Sequence, residues 1–267
     1  MRLLILILSF LIPAPLRAHE TLQLLRTIPM DARLMTVDET GNVYVVRSNN
    51  SLVKFSARGD SLSFFRSVQN GDIGAVDATN PLRVIVSYPA YGKVVLLDRM
   101  LAQKNELNLR QLNLYTGSVV AASADGNLWV YDRFNARLKK IDEQLNEIAQ
   151  SNDLRLELER APDPAFMLER DWKVFISDTV RGLYTFDRYG NYINTIPLRG
   201  IRYLQVFESR LFYRSRDTLY SWDMNKVSGS HLKLPASPTK LINAAVVRDV
   251  LYILYGDRLD FYQIISR

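Results

Sequence analysis

Arginine and aromatic residues recur in six clusters along the chain, each just after a short apolar run. The clusters are Arg47; Tyr88, Tyr91 and Lys93; Arg133, Phe134 and Arg137; Arg181; Arg214 and Arg216; and Tyr255 and Arg258. Guanidinium forks recognise carboxylates and phosphates, and arginine beside tyrosine is the pairing that dominates protein interfaces, so the chemistry implied is capture of an anionic partner. The eight cations face Asp132, Asp178, Asp217 and Asp257, an excess of four positive charges. Replacing Arg133, Arg181 and Arg214 with glutamate is expected to abolish capture and to leave thermal stability nearly unchanged, because exposed charges contribute little to folding.

A second set of side chains carries oxygen. Asp31, Asp72 and Asp163, with Asn243 and Ser118 at comparable depth in their repeats, could hold calcium or another hard cation. Arg33 and Arg202 occupy the same tier, so these aspartates read as ordinary loop residues and no cofactor is expected. Covalent chemistry has little to draw on. There is no cysteine, and the two histidines, His19 and His231, lie at a chain end and in an outer connection. No Gly-x-Ser-x-Gly or phosphate-cradling glycine loop occurs. Trp129, Trp172 and Trp222 are expected to fill space between sheets, with sugar stacking on Tyr88, Tyr91 and Trp129 as a lesser reading.

The elements that must carry these residues repeat. Six apolar runs align as GNVYVV, PLRVIV, GNLWVY, DWKVFI, SRLFYR and DVLYIL, and their fourth residues, Tyr44, Val84, Trp129, Val174, Phe212 and Tyr252, are 40, 45, 45, 38 and 40 apart. A second run follows each, ending at Phe55, Leu97, Ile141, Phe186, Trp222 and Tyr262. A small-residue stretch precedes each pair and a polar turn with a weaker strand follows it. Four short strands per repeat of about forty residues predict an all-β, six-bladed propeller. The last repeat ends after its third strand, and Thr27-Ile28-Pro29-Met30 echoes Thr195-Ile196-Pro197-Leu198, so the N-terminal strand, about Thr21 to Ile28, is expected to complete blade six and protect its edge.

Asp98, Asp142, Asp187 and Asp223 after the third strands, and Asp38, Asp77 and Asp125 after the first, are expected to cap turns. The turns joining second to third strands should share a face with the blade-to-blade connections, which places the arginine and tyrosine clusters on one rim. The inner strands should turn Leu34, Val76, Ala121, Met167 and Val206 toward the axis.

Residues 1–18, with Arg2, an apolar run from Leu3 to Ile12 and a small residue at Ala18, predict a secretory signal peptide, and residues 19–267 form a single propeller domain. The apolar run is too short to span a bilayer. Removing Arg2 and Arg17 lowers the formal net charge from +6 to +4, too small for a nucleic-acid binder. Export without cysteine fits a bacterial periplasm or cell surface.

The segments FDRYGNYINTIPL and DETGNVYVVRSNNSLVKFSARGDSL resemble the NHL-type six-bladed propeller repeat, in which Asp-x-x-Gly-Asn opens a strand and phenylalanine followed by aspartate closes one. Blades two, five and six lack the Gly-Asn turn. The resemblance implies a propeller and is compatible with binding scaffolds, lactonases and quinone-dependent dehydrogenases. The expectation is a non-enzymatic exported scaffold that engages a protein partner in the cell envelope. A metal-dependent lactonase-like hydrolase and a carbohydrate-binding propeller are the alternatives.

Overall fold

The computed structural model describes residues 20–114, 117–226 and 228–266; the expected signal peptide and His19 lie outside them. Six four-stranded antiparallel sheets follow one another along the chain. Blade 1 comprises Ala32–Val37, Val43–Arg47, Leu52–Phe55 and Ser61–Phe65. Blade 2 comprises Ala75–Asp77, Arg83–Tyr88, Lys93–Asp98 and Gln103–Asn108. Blade 3 comprises Val120–Ala122, Leu128–Asp132, Arg137–Ile141 and Glu147–Gln150. Blade 4 comprises Phe166–Arg170, Lys173–Asp178, Gly182–Phe186 and Tyr192–Ile196. Blade 5 comprises Leu204–Phe207, Arg210–Ser215, Thr218–Asp223 and Ser228–Lys233. Blade 6 takes Leu241–Val247, Val250–Tyr255 and Arg258–Ser266 from the end of the chain and Glu20–Pro29 from its start.

That closure satisfies the strand edge. Gln23 pairs with Gln263 and Ile28 with Leu259, and the Thr27 hydroxyl donates to Asp260 at 2.7 Å. Middle strands of blades 1 to 4 are largely buried on both faces because each sheet is sandwiched between two others, which is why they read as continuous apolar runs; those of blade 5 are mostly half-buried. Six hydrophobic clusters fill the seams between blades. Two lysines pack against them: Lys140 lies over the Trp129 ring and reaches Asp125 at 2.7 Å, and Lys54 lies over Tyr44 and donates to the Arg99 carbonyl at 2.8 Å.

The turns follow from aspartate chemistry. Asp98, Asp142, Asp187 and Asp223 each accept two backbone N–H bonds from the turn they open. Asp38, Asp77 and Asp125 cap the turns after the inner strands. At Gly182, φ is +129° and a Cβ would stand 2.6 Å from the Ile196 carbonyl oxygen, so only glycine fits there.

Inner strands are also stitched to one another around the axis. Asn243 donates to the Met35 carbonyl at 3.1 Å, Gln205 accepts from Val246 N–H at 3.0 Å, and Asp77 accepts from Ala122 N–H at 2.7 Å. Among the described residues no helix is long and apolar enough to cross a membrane.

Candidate binding face

Antiparallel hairpins put the second-to-third turns and the blade-to-blade connections on one side of the disc, here the loop face. The first-to-second and third-to-fourth turns form the other side, the hairpin face. By strand order the twelve residues named from the sequence lie in or beside the second-to-third turns, on the loop-face side. Tyr88 and Tyr255 are a correction: they are 0% and 1% exposed, in the seam clusters, and cannot meet a partner. Burial pushes the Tyr88 hydroxyl up to about 12. The Tyr255 hydroxyl donates to the Pro235 carbonyl, and Arg258 stacks on its ring at 4.2 Å.

Several rim cations face inward as fasteners rather than outward as a field. Arg133 donates to the Gly117 and Pro164 carbonyls and pairs with Asp163, tying two blade-to-blade connections together. Arg181 donates to the Ala161 carbonyl and to Asp178, and Arg214 to the Ile242 and Arg216 carbonyls. Burial lowers the Arg214 pKa. Lys93 pairs with Glu106 at 2.6 Å, Arg137 reaches Gln150 and the Ser151 carbonyl, and Arg258 bonds Asp260 and Ser237. The glutamate replacement of Arg133, Arg181 and Arg214 would therefore cut the straps that hold the connections. Where the sequence led to an expectation of nearly unchanged stability, these bonds lead to the opposite expectation, a lowered melting temperature.

Arg47 and Arg216 keep exposed side chains without a partner among the described residues. The connections add exposed, unpaired Arg66, Arg160 and Arg199, which a reading centred on second-to-third turns passed over, and Arg202. Apolar residues stand among them. Phe134 is 78% exposed, Val180 72% and Leu156 89%, all at turns or connections of blades 3 and 4, and Tyr91 of blade 2 and Val68 of the connection leading to it are exposed as well. The Tyr91 ring packs closely on Gly71, where a Cβ would clash with it. The signal for Phe134, Leu156 and Val180 is a single large apolar residue inside an otherwise polar turn.

The predicted oxygen set does not converge. Asp31 accepts the Ser48 hydroxyl, Asp163 pairs with Arg133, Asp72 is exposed, and Asn243 serves the inner-strand stitch. Among the described residues no three His, Cys, Asp or Glu side chains gather as a metal cluster.

The axial channel is narrow, with room of about 40 and 60 Å³ in its two halves. Leu34 and Val76 line it as expected, whereas Ala121 and Met167 turn into the blade 3–4 seam and Phe166 and Leu168 take the axial positions. Phe166 meets Tyr203 edge-on at 5.8 Å. At the hairpin face an ion pair of 2.8 Å, Arg170 to Glu39, joins opposite blades 4 and 1 across the channel mouth. His231 lies on the outer strand of blade 5 beside Tyr220, remote from the axis.

Fold and face together define a six-bladed β-propeller. Comparison with family models gives no match, and comparison with curated proteins gives none. Solved structures are similar. Virginiamycin B lyase from Staphylococcus aureus aligns with TM-score 0.61 at 11% identity, over 92% of this chain and 100% of that one. A catalytically inactive histidine-to-alanine variant of that lyase, holding quinupristin, aligns with TM-score 0.59 at 10% identity, over 92% and 100%. BamB from Moraxella catarrhalis aligns with TM-score 0.51 at 11% identity, over 91% and 98%. At such identity the likeness is one of fold alone.

Proposed function

We propose that this protein is a non-enzymatic binding or scaffold protein, exported to a bacterial envelope, whose loop face holds an acidic protein partner. The observation that carries the reading is the sector over blades 2 to 4, where Phe134, Leu156 and Val180 project among the unpaired Arg160 and Arg199. Exposed aromatic and aliphatic anchors beside arginine supply the desolvated contacts of an interface, and the surrounding cations steer an acidic surface toward them. A rigid disc bears these groups at little ordering cost on binding. The signal-like leader and the absence of cysteine support the envelope location, and the Gly-Asn turns of blades 1, 3 and 4 support an NHL-type relationship.

The lyase neighbours mark the competing reading. One of them is inactive when a histidine is lost, whereas the described histidine here, His231, stands on an outer strand. A lactonase-like hydrolase draws less support still, because Asp163 and Asn243 are committed to other bonds.

The test places a photo-crosslinking amino acid at position 134 and, as a control, at position 62 on the outer edge. Position 134 should yield a discrete adduct that is lost on Leu156→Ser with Val180→Ser, while the melting temperature stays within about 2 °C because both residues are exposed. The same adduct from position 62, or one indifferent to the double change, would overturn the assignment. Arg160→Glu with Arg199→Glu should slow association and flatten its salt dependence.

A further inference from the structure

The hairpin face carries a second feature, independent of the loop face. A cavity of about 250 Å³ lies at the axial rim, bounded by the first hairpin turns of blades 2, 3 and 4 and several times roomier than either half of the channel. We propose that this cavity is a carbohydrate site in which one neutral sugar ring stacks on Trp172 while its hydroxyls bond Asp171 and Asn80.

Trp172 was expected to fill a seam, as Trp129 does. Instead it is 43% exposed on the lip of the cavity. Arg188, from the third-to-fourth turn and so radially outward of Trp172, lies over the ring at 3.9 Å and is not part of the cavity wall. Arg188 thereby covers one face of the indole, and Trp172 itself is part of the cavity lining.

Backbone conformation points the same way. Arg170 pairs with Lys173, so Asp171 and Trp172 form a two-residue hairpin turn, and their φ angles are +52° and +61°. Aspartate tolerates the left-handed region; tryptophan is disfavoured there, and glycine is what such a turn prefers at its second position. A bulky aromatic kept in a strained turn with its ring half in solvent contributes little to the fold. Positive φ recurs at other turns of this chain, such as Glu208 and Arg248, so what sets this turn apart is that it holds a tryptophan on a cavity lip.

The polar groups on the wall divide into spent and free. Glu169 is saturated by Ser123, Ala124 and Trp129, whose hydroxyl, amide and indole N–H all donate to it. Among the described residues the Asp171 carboxylate and the Asn80 amide nitrogen have no partner, the Asn80 oxygen being taken by Leu82 N–H. A carboxylate and an amide beside an aromatic surface match the alternation of hydroxyls and C–H faces on a sugar ring. A cationic ligand fits less well, because Arg170 is in the wall and Arg188 already occupies the indole.

The mature protein can be titrated with cellotetraose, chitotetraose and maltotetraose, following tryptophan emission and the heat of binding. At least one should bind saturably. Trp172→Gly should weaken that binding at least tenfold while the melting temperature holds or rises, since glycine relaxes the turn, and Asp171→Ala should weaken it as well. Failure of all three saccharides to bind, unchanged binding by Trp172→Gly, or a fall in its melting temperature would each overturn the proposal. So would displacement of the sugar by tetramethylammonium, which would mark a cation site. Because the loop face is on the other side of the disc, none of these outcomes bears on partner capture there.

Discussion

At the scale of single residues, the same amino acid does opposite work at different places in the blade. Trp129 is sealed in a seam with its indole N–H on Glu169, while Trp172 stands on a turn. Lys54 and Lys140 look like surface cations in LVKF and LKKI, yet each packs its stem over an aromatic ring and carries its ammonium to an oxygen. Tyr88 shows how far residue type can mislead, for its hydroxyl is buried without a hydrogen-bond partner among the described residues. An unsatisfied buried hydroxyl opposes folding, so Tyr88→Phe should leave stability unchanged or raise it by about 1 kcal/mol, with no loss of partner capture. Denaturant melts would show it, and a marked loss of stability would mean that the hydroxyl has a partner after all.

At the scale of elements, the strand at the start of the chain decides whether the ring is closed. Its register puts Gln23 opposite Gln263. The chain has no cysteine of its own, so a Gln23→Cys and Gln263→Cys pair should oxidise to one defined bridge. Tethering so long a loop removes chain entropy from the unfolded state, worth roughly 3–5 kcal/mol, and should raise the melting temperature by several degrees. A pair that stays reduced under oxidant, read by gel shift, would place the strand elsewhere. Period and order of the strands were legible because each blade repeats one pattern. Which residue of an inner strand faces the axis was not: a shift of one position exchanges Met167 for Phe166 and Leu168, and a strand buried on both faces has no alternation to reveal the shift.

At the scale of the whole molecule, acid sensitivity follows from the turn carboxylates. Backbone N–H groups hold Asp98 and Asp223 below the usual range, and Asn146 does so for Asp142. For Asp125, Lys140 and the turn outweigh burial and bring it down to about 2. Groups that ionise more readily folded than unfolded stabilise above the unfolded value, about 4, and lose that contribution as pH falls through the folded ones. Melting temperature should therefore be flat from about pH 7 to 5 and fall between about 4 and 2. Asp77, which burial raises, acts in the opposite sense and softens the fall. A calorimetric series with no decline down to pH 2 would show that the capped turns contribute nothing.

By itself the sequence determined the number of blades, their strand order, the closing strand and the capped turns, since periodicity and turn chemistry are local properties. It also put the arginines in the second-to-third turns, which strand order sets on one side of the disc. Only the tertiary structure decided which of them are free, because Arg133, Arg181 and Arg214 find backbone carbonyls brought near by neighbouring connections of the ring. The exposed apolar sector and the cavity beside Trp172 were likewise hidden, for each is assembled from turns and connections some twenty to forty-odd residues apart in the chain, and it is the stacking of successive blades that makes them neighbours.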